Sequence, residues 1–163
     1  MNAAVWFGGS LFMMIGVAPA VFASDMDRLG DLWKGIIAFH LFERYFALQY
    51  WCGALALAHV LAEWVYLGKP LYRLSLGLVL GVFSLSLAGG LIVQPRLKQL
   101  HAVKYGANEP ESRKTAAAGS LKVWHGISQS AGLLVVAGLG WYLWRMGNPP
   151  NAPKYAPQSK FRS

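Results

Sequence analysis

Residues 45–66 read YFALQYWCGALALAHVLAEWVY, and the fold turns on how this stretch is read. From Tyr45 to Ala62 it holds eighteen residues without Asp, Glu, Lys or Arg, the length at which a helix crosses a bilayer. It is not uniformly apolar. At about 100° per residue, Tyr45, Gln49, Cys52, His59, Glu63 and Tyr66 fall within one wedge of roughly 100°. The opposite side carries Phe46, Tyr50, Gly53, Leu57, Val60 and Leu61. A spanning helix with a polar stripe turns that stripe toward protein, a cofactor or trapped water.

Composition supports a membrane setting. Hydrophobic residues make up 55% of the 163-residue chain and charged residues 13%, against about 25% charged in soluble domains. One domain fits this length. The net charge of +8 does not point to nucleic acid, because the 15 Lys and Arg sit between apolar runs, where they meet lipid phosphates. A single cysteine, Cys52, excludes an internal disulfide and leaves the redox compartment unread.

Three further runs match the first. Val5 to Ala23 is nineteen residues without charge; no Lys or Arg precedes it, so it reads as a span rather than a signal peptide. Pro19 near its far end frees a carbonyl that neighbouring groups must satisfy. Leu74 to Val93 is twenty uncharged residues containing Gly77-x-x-x-Gly81 and Ser84, Ser86, Gly89 and Gly90. Those small residues are expected to pack against other helices of the same bundle. Val123 to Trp144 is the fourth run.

Between these runs the chain is polar. Ser24 to Arg44 carries Leu29, Leu32, Trp33, Ile36 and Ile37 at helical spacing, with Asp27, Asp31, Lys34 and Glu43 opposite. That pattern predicts an amphipathic helix in the interface. Gly68-Lys69-Pro70 reads as a tight connection. Pro95 marks a break or fresh helix start, and Arg96–Tyr105 with Glu111–Lys122 predicts a helical hairpin outside the bilayer. The tail MGNPPNAPKYAPQSKFRS has four prolines and predicts an extended arm lying on a partner subunit.

Four spans place the hairpin and the amphipathic segment on one side, with nine Lys and Arg (Arg28, Lys34, Arg44, Arg96, Lys98, Lys104, Arg113, Lys114, Lys122). Six lie on the other (Lys69, Arg73, Arg145, Lys154, Lys160, Arg162), which leans toward a cytoplasmic hairpin. Trp6, Trp64, Trp141 and Trp144 are expected to form a belt at the tail-side interface, with Trp33 and Trp124 at the other.

The candidates for chemistry are few. His59 and Glu63, four apart, share a helix face, with His59 about 21 Å along the helix from Tyr45. Imidazole could ligate a haem or chlorophyll-type macrocycle; the pair could hold a metal or relay protons, as in a small transporter. The plainer reading is an interhelical hydrogen bond from His59, with Glu63 reaching headgroups or Arg73. A bis-histidine haem lacks a second His at that depth, since His40, His101 and His125 all fall at the hairpin side and match no zinc or copper spacing. Met13 and Met14 point to different sides of a helix and read as core packing. His125, Ser128 and Gln129 are expected to stitch helices together. No Gly-rich phosphate loop, Ser–His–Asp set or paired catalytic carboxylates occur, so catalysis is not expected.

Four short motifs carry a family resemblance. Val17-Ala18-Pro19 leads to Phe22, Leu41-Phe42-Glu43-Arg44-Tyr45-Phe46 enters the second span, Pro95-Arg96-Leu97 follows the third, and His125-Gly126-Ile127-Ser128 opens the fourth. In order and spacing, from Gly8 to Trp144, the chain resembles the transmembrane protein 205-like proteins, small four-span membrane proteins of unknown function. That family often has proline where this chain has Glu43, and the Pro-rich tail lies outside the pattern. The resemblance implies topology and a helical bundle, and no reaction.

The sequence therefore predicts an all-α, four-transmembrane-helix bundle over 1–146, with spans at about 5–23, 45–67, 74–93 and 123–144, an interfacial helix, an extramembrane hairpin, and an arm over 147–163. The expected role is a non-catalytic accessory subunit of a larger complex, of the respiratory or photosynthetic kind, in a bacterial inner membrane or an organelle membrane. Its expected partners are the bilayer and neighbouring subunits, with no nucleic acid.

Overall fold

Each long charge-poor run forms a helix in the computed structural model, which describes residues 1–68 and 73–148, apart from the side chains of Leu67 and Arg73. The helices are α1 (Asn2–Val21), α2 (Gly30–Leu67), α3 (Leu74–Tyr105) and α4 (Glu111–Gly147). No strand occurs among the described residues. All four helices are long and apolar enough to cross a membrane, the architecture of a multi-pass membrane protein. The Lys69-Pro70 connection, the arm beyond Asn148 and any contact of Glu63 with the Arg73 side chain lie outside the described residues.

The amphipathic segment is not a separate helix. Ser24–Leu29 forms a 3₁₀ turn, and Gly30, at φ 72°, sits in a backbone region open to glycine. From there α2 runs unbroken for 38 residues, about 57 Å long against a hydrocarbon core of about 30 Å. No proline interrupts it, so the polar start and the apolar span share one rod. Lys34, expected on the polar face, is buried and bonded to Asp27. The left-handed Gly68, at φ 58° and ψ 15°, caps the far end.

Pro95, expected as a break or a fresh helix start, is instead absorbed, as is Pro19. Met13–Val17 and Gly89–Val93 are π-helical turns, each ending two residues before a proline, Pro19 and Pro95. The Ala18 N–H donates to the Met13 carbonyl and the Gln94 N–H to the Gly89 carbonyl, five residues back in each case. Widening the turn gives room where a proline ring would press on the carbonyl four residues earlier. Consequently α3 continues through Pro95 into the hairpin, where Leu97 and Leu100 are buried. After residues 106–110, α4 begins with Glu111 in its first turn, and Glu109–Arg113 and Glu111–Lys114 pairs at 3.2 and 3.0 Å brace it.

In lipid, helices gain little from hydrophobic burial against each other, so close packing and hydrogen bonds hold the bundle. Trp6, Cys52, Ala56, Val79, Val82, Val135 and Leu139 form a core to which all four helices contribute. Glycine makes the contacts close: a Cβ on Gly53 would stand 2.1 Å from the Phe83 ring, and one on Gly138 2.8 Å from Val82. Trp6, expected in an interfacial belt, is buried at 1% exposure. Trp33, Trp64, Trp141 and Trp144 are exposed as a belt requires.

Candidate functional site

The polar wedge of α2 divides. Gln49 and Cys52 are buried and Tyr45 is partly buried, whereas His59 and Tyr66 face outward and Glu63 is half-covered. Geometry explains the split. The buried face runs through Gln49, Cys52 and Ala56, and at 100° per residue His59 lies about 60° round from Ala56 and Tyr66 about 80°. Cover also ends early on this side. Asn2, at the start of α1, donates through Nδ2 to the Cys52 carbonyl at 2.7 Å, and His59 is two turns farther along α2. The sequence-predicted pair is therefore not brought into the bundle core. Glu63 interacts electrostatically with Tyr142 of α4.

The inward half of the wedge builds a knot that joins three helices. The Trp6 indole N–H donates to Gln49 Oε1. Gln49 Nε2 donates to Ser10 Oγ at 2.8 Å, and Ser86 Oγ lies 3.1 Å from Gln49 Oε1. Ser10 and Ser86 also bond the carbonyls of Trp6 and Val82, at 2.8 and 2.9 Å. The Tyr45 phenol reaches Ser10 and Gln49. Gln49, Ser10 and Trp6 are each 1% exposed. With both ends of the Gln49 amide in use, the knot clamps α1, α2 and α3 together rather than presenting an unfilled site. Sequence reasoning pointed Gln49 inward but missed Trp6, Ser10 and Ser86 as its partners. A serine four residues from a tryptophan was the available signal.

The three hairpin-side histidines do not assemble. The His125 ring meets Phe22 edge-on at 6.0 Å. His40 is exposed and lies 3.5 Å from Glu43, which also bonds Lys98. That Lys98 bond holds the Glu43 carboxyl below the ordinary carboxylate range. His101 sits between α2 and α3, edge-on to Phe39 at 5.3 Å and tilted against Tyr105 at 4.6 Å. Its Nε2 is buried without a hydrogen-bond partner, and a Cβ on Gly35 would stand 2.0 Å from it. Burial pushes the His101 imidazole below its ordinary value, and Lys104 adds to the effect against the pull of Asp31. His40 and His101 share a groove of about 330 Å³ with Leu32, Ile36, Phe39 and Lys98.

Other expectations resolve as packing. Met13 is buried, and Met14 lies against Gly132. Cys52 is a buried free thiol in the core. Gln129 is exposed, and no hydrogen bond from His125, Ser128 or Gln129 to another helix forms among the described residues. The expected stitching by that patch is therefore absent there. Among the described residues, no group of three or more His, Cys, Asp and Glu is placed to hold a metal.

No curated protein and no solved structure matches this chain. A family model described as a domain of unknown function, DUF4149, matches residues 1–105. The match ends at the last residue of α3 and contains every residue of the knot. With 105 of 163 residues matched, the chain belongs to the DUF4149 family.

Proposed function

We propose that this chain is a non-catalytic accessory subunit of a larger membrane complex, of the respiratory or photosynthetic kind, in a bacterial inner membrane or an organelle membrane. One observation carries the reading: Gly77, Gly81 and Ser84 of α3 face away from the bundle. A Cβ added at Gly77 or Gly81 would meet nothing within 4 Å, and Ser84 is exposed. The expected intramolecular packing holds for Ser86, Gly89 and Gly90, which meet Gln49, Phe46 and Tyr50 of α2, but not for this outward stretch. A surface of this kind lets a further helix approach closely.

Gln129 and Ser130 add to it. Gln129 and Ser130 are both exposed within the apolar run of α4, where an amide facing lipid lacks the hydrogen bonds that a neighbouring subunit would supply. The likeness to the transmembrane protein 205-like proteins belongs to the same proposal, and it bears on topology alone. Native electrophoresis after mild detergent extraction tests the reading. The wild-type chain should migrate in an assembly well above 17.9 kDa, and Gly81→Leu should release it as a single chain. A wild-type band at the mass of one chain would contradict the proposal.

A second reading draws on His59, whose exposed imidazole is open to a haem, pigment or metal from outside the bundle, with Glu63 one turn away. A visible absorption spectrum and metal analysis of the purified protein separate the two readings. A colourless, metal-free preparation would remove the second.

A further inference from the structure

The cations on the hairpin side fall into two groups. Lys34, Lys98, Arg113 and Lys114 are each paired within the chain, to Asp27, Glu43, Glu109 and Glu111. Arg44, Arg96 and Lys122 have no carboxylate partner among the described residues, and all three are exposed. Arg96 reaches only the Gln99 side-chain oxygen, at 3.5 Å.

The unpaired three share a level. Arg44 immediately precedes Tyr45, Arg96 follows Val93 by three residues, and Lys122 immediately precedes Val123, so each stands where an apolar run ends. The Phe22–His125 contact joins the ends of α1 and α4, and the Lys98–Glu43 pair joins those of α2 and α3. The short turn over residues 106–110 sets α3 beside α4, with Arg96 and Lys122 at similar distances from it. The other cations without a carboxylate lie farther out: Lys104 sits 4.7 Å from the centre of the Tyr105 ring, and Arg28 is in the turn before α2.

We propose that Arg44, Arg96 and Lys122 form a collar that binds the phosphates of anionic phospholipids at this boundary. An unpaired cation at headgroup depth finds its counter-ion in the lipid, and the acyl chains then lie along the adjoining apolar helix surface. Each such contact should favour an anionic over a zwitterionic lipid by about fivefold.

Native mass spectrometry of the full-length protein with equimolar phosphatidylglycerol and phosphatidylcholine reads this directly. The wild type should retain phosphatidylglycerol by at least about tenfold, and raised ionic strength should erode the preference without any substitution. The combined Arg44→Gln, Arg96→Gln and Lys122→Gln variant should lose it. Arg113→Gln with Lys114→Gln should keep it, as should Arg44→Lys with Arg96→Lys and Lys122→Arg. Equal retention of the two lipids by the wild type would overturn the proposal. So would an unchanged preference in the glutamine variant, or displacement of the lipid by inorganic phosphate.

Discussion

Gln49 and His59 sit ten residues apart on one helix, both polar within the same charge-free run. Gln49 is enclosed by α1 and α3 and bonds Trp6, Ser10 and Ser86; His59 looks out from the bundle. The difference comes from their neighbours rather than from α2. Around Gln49, α1 covers the polar side of α2, and this cover begins level with Cys52. His59 also stands off the centre of the buried face. A polar residue in a span thus declares that something must meet it, and the helices beside it decide whether that partner lies inside the chain.

Substitutions on the two halves should separate them. The largest effect belongs to Gly53→Leu, because a side chain there must displace the Phe83 ring that seats α3 on α2. Overpacking of this kind should cost up to about 3 kcal/mol in a reversible unfolding titration in mixed micelles. Gln49→Leu comes next, at about 2 kcal/mol, since it leaves Trp6, Ser10 and Ser86 without their shared partner. A Gln49→Leu protein as stable as wild type would break the comparison at its stronger end.

Acid should act outside the membrane, between α2 and the hairpin. The packed form holds His101 with its imidazole depressed by burial, so it binds fewer protons than a form in which the two helices part. Its stabilising effect is complete above a pH of about 6.5 and is lost as the pH falls below that value. Glu43 behaves differently: its carboxyl is depressed by Lys98, so that bond persists until the pH drops through the lowered carboxyl value. The protection of amides over residues 94–105, after allowance for the intrinsic pH dependence of exchange, should therefore fall on mild acidification, and His101→Leu should remove that fall. The smallest effect is His59→Ala, within about 0.5 kcal/mol for an exposed side chain. A larger loss would mean that His59 meets a partner.

The spans were legible because a charge-free run of this length has few other uses, and the hairpin because the chain from Arg96 to Lys122 is polar between two such runs. Direction was less legible. Trp6 suits an interfacial belt by type, yet its indole N–H serves Gln49 from within the core. The Gly77–Gly81 spacing marks a face for close approach without saying which helix approaches. Pro95 reads as a break or a fresh helix start because the propensity of proline is local, whereas a π turn placed just before it, as before Pro19, lets the helix continue. His101 was visible as a histidine, but Gly35, the residue that admits its ring, lies sixty-six positions away in sequence and announced nothing.

Four membrane crossings put residues 24 and 108 on one side and 68 and 148 on the other. In a Cys52→Ala background, the single substitutions Ser24→Cys, Gly68→Cys, Asn108→Cys and Asn148→Cys can each be exposed to a membrane-impermeant maleimide in sealed oriented vesicles. Cysteines at positions 24 and 108 should label from one face only, and those at 68 and 148 only from the opposite face. Labelling of positions 108 and 148 from the same face would contradict the four crossings.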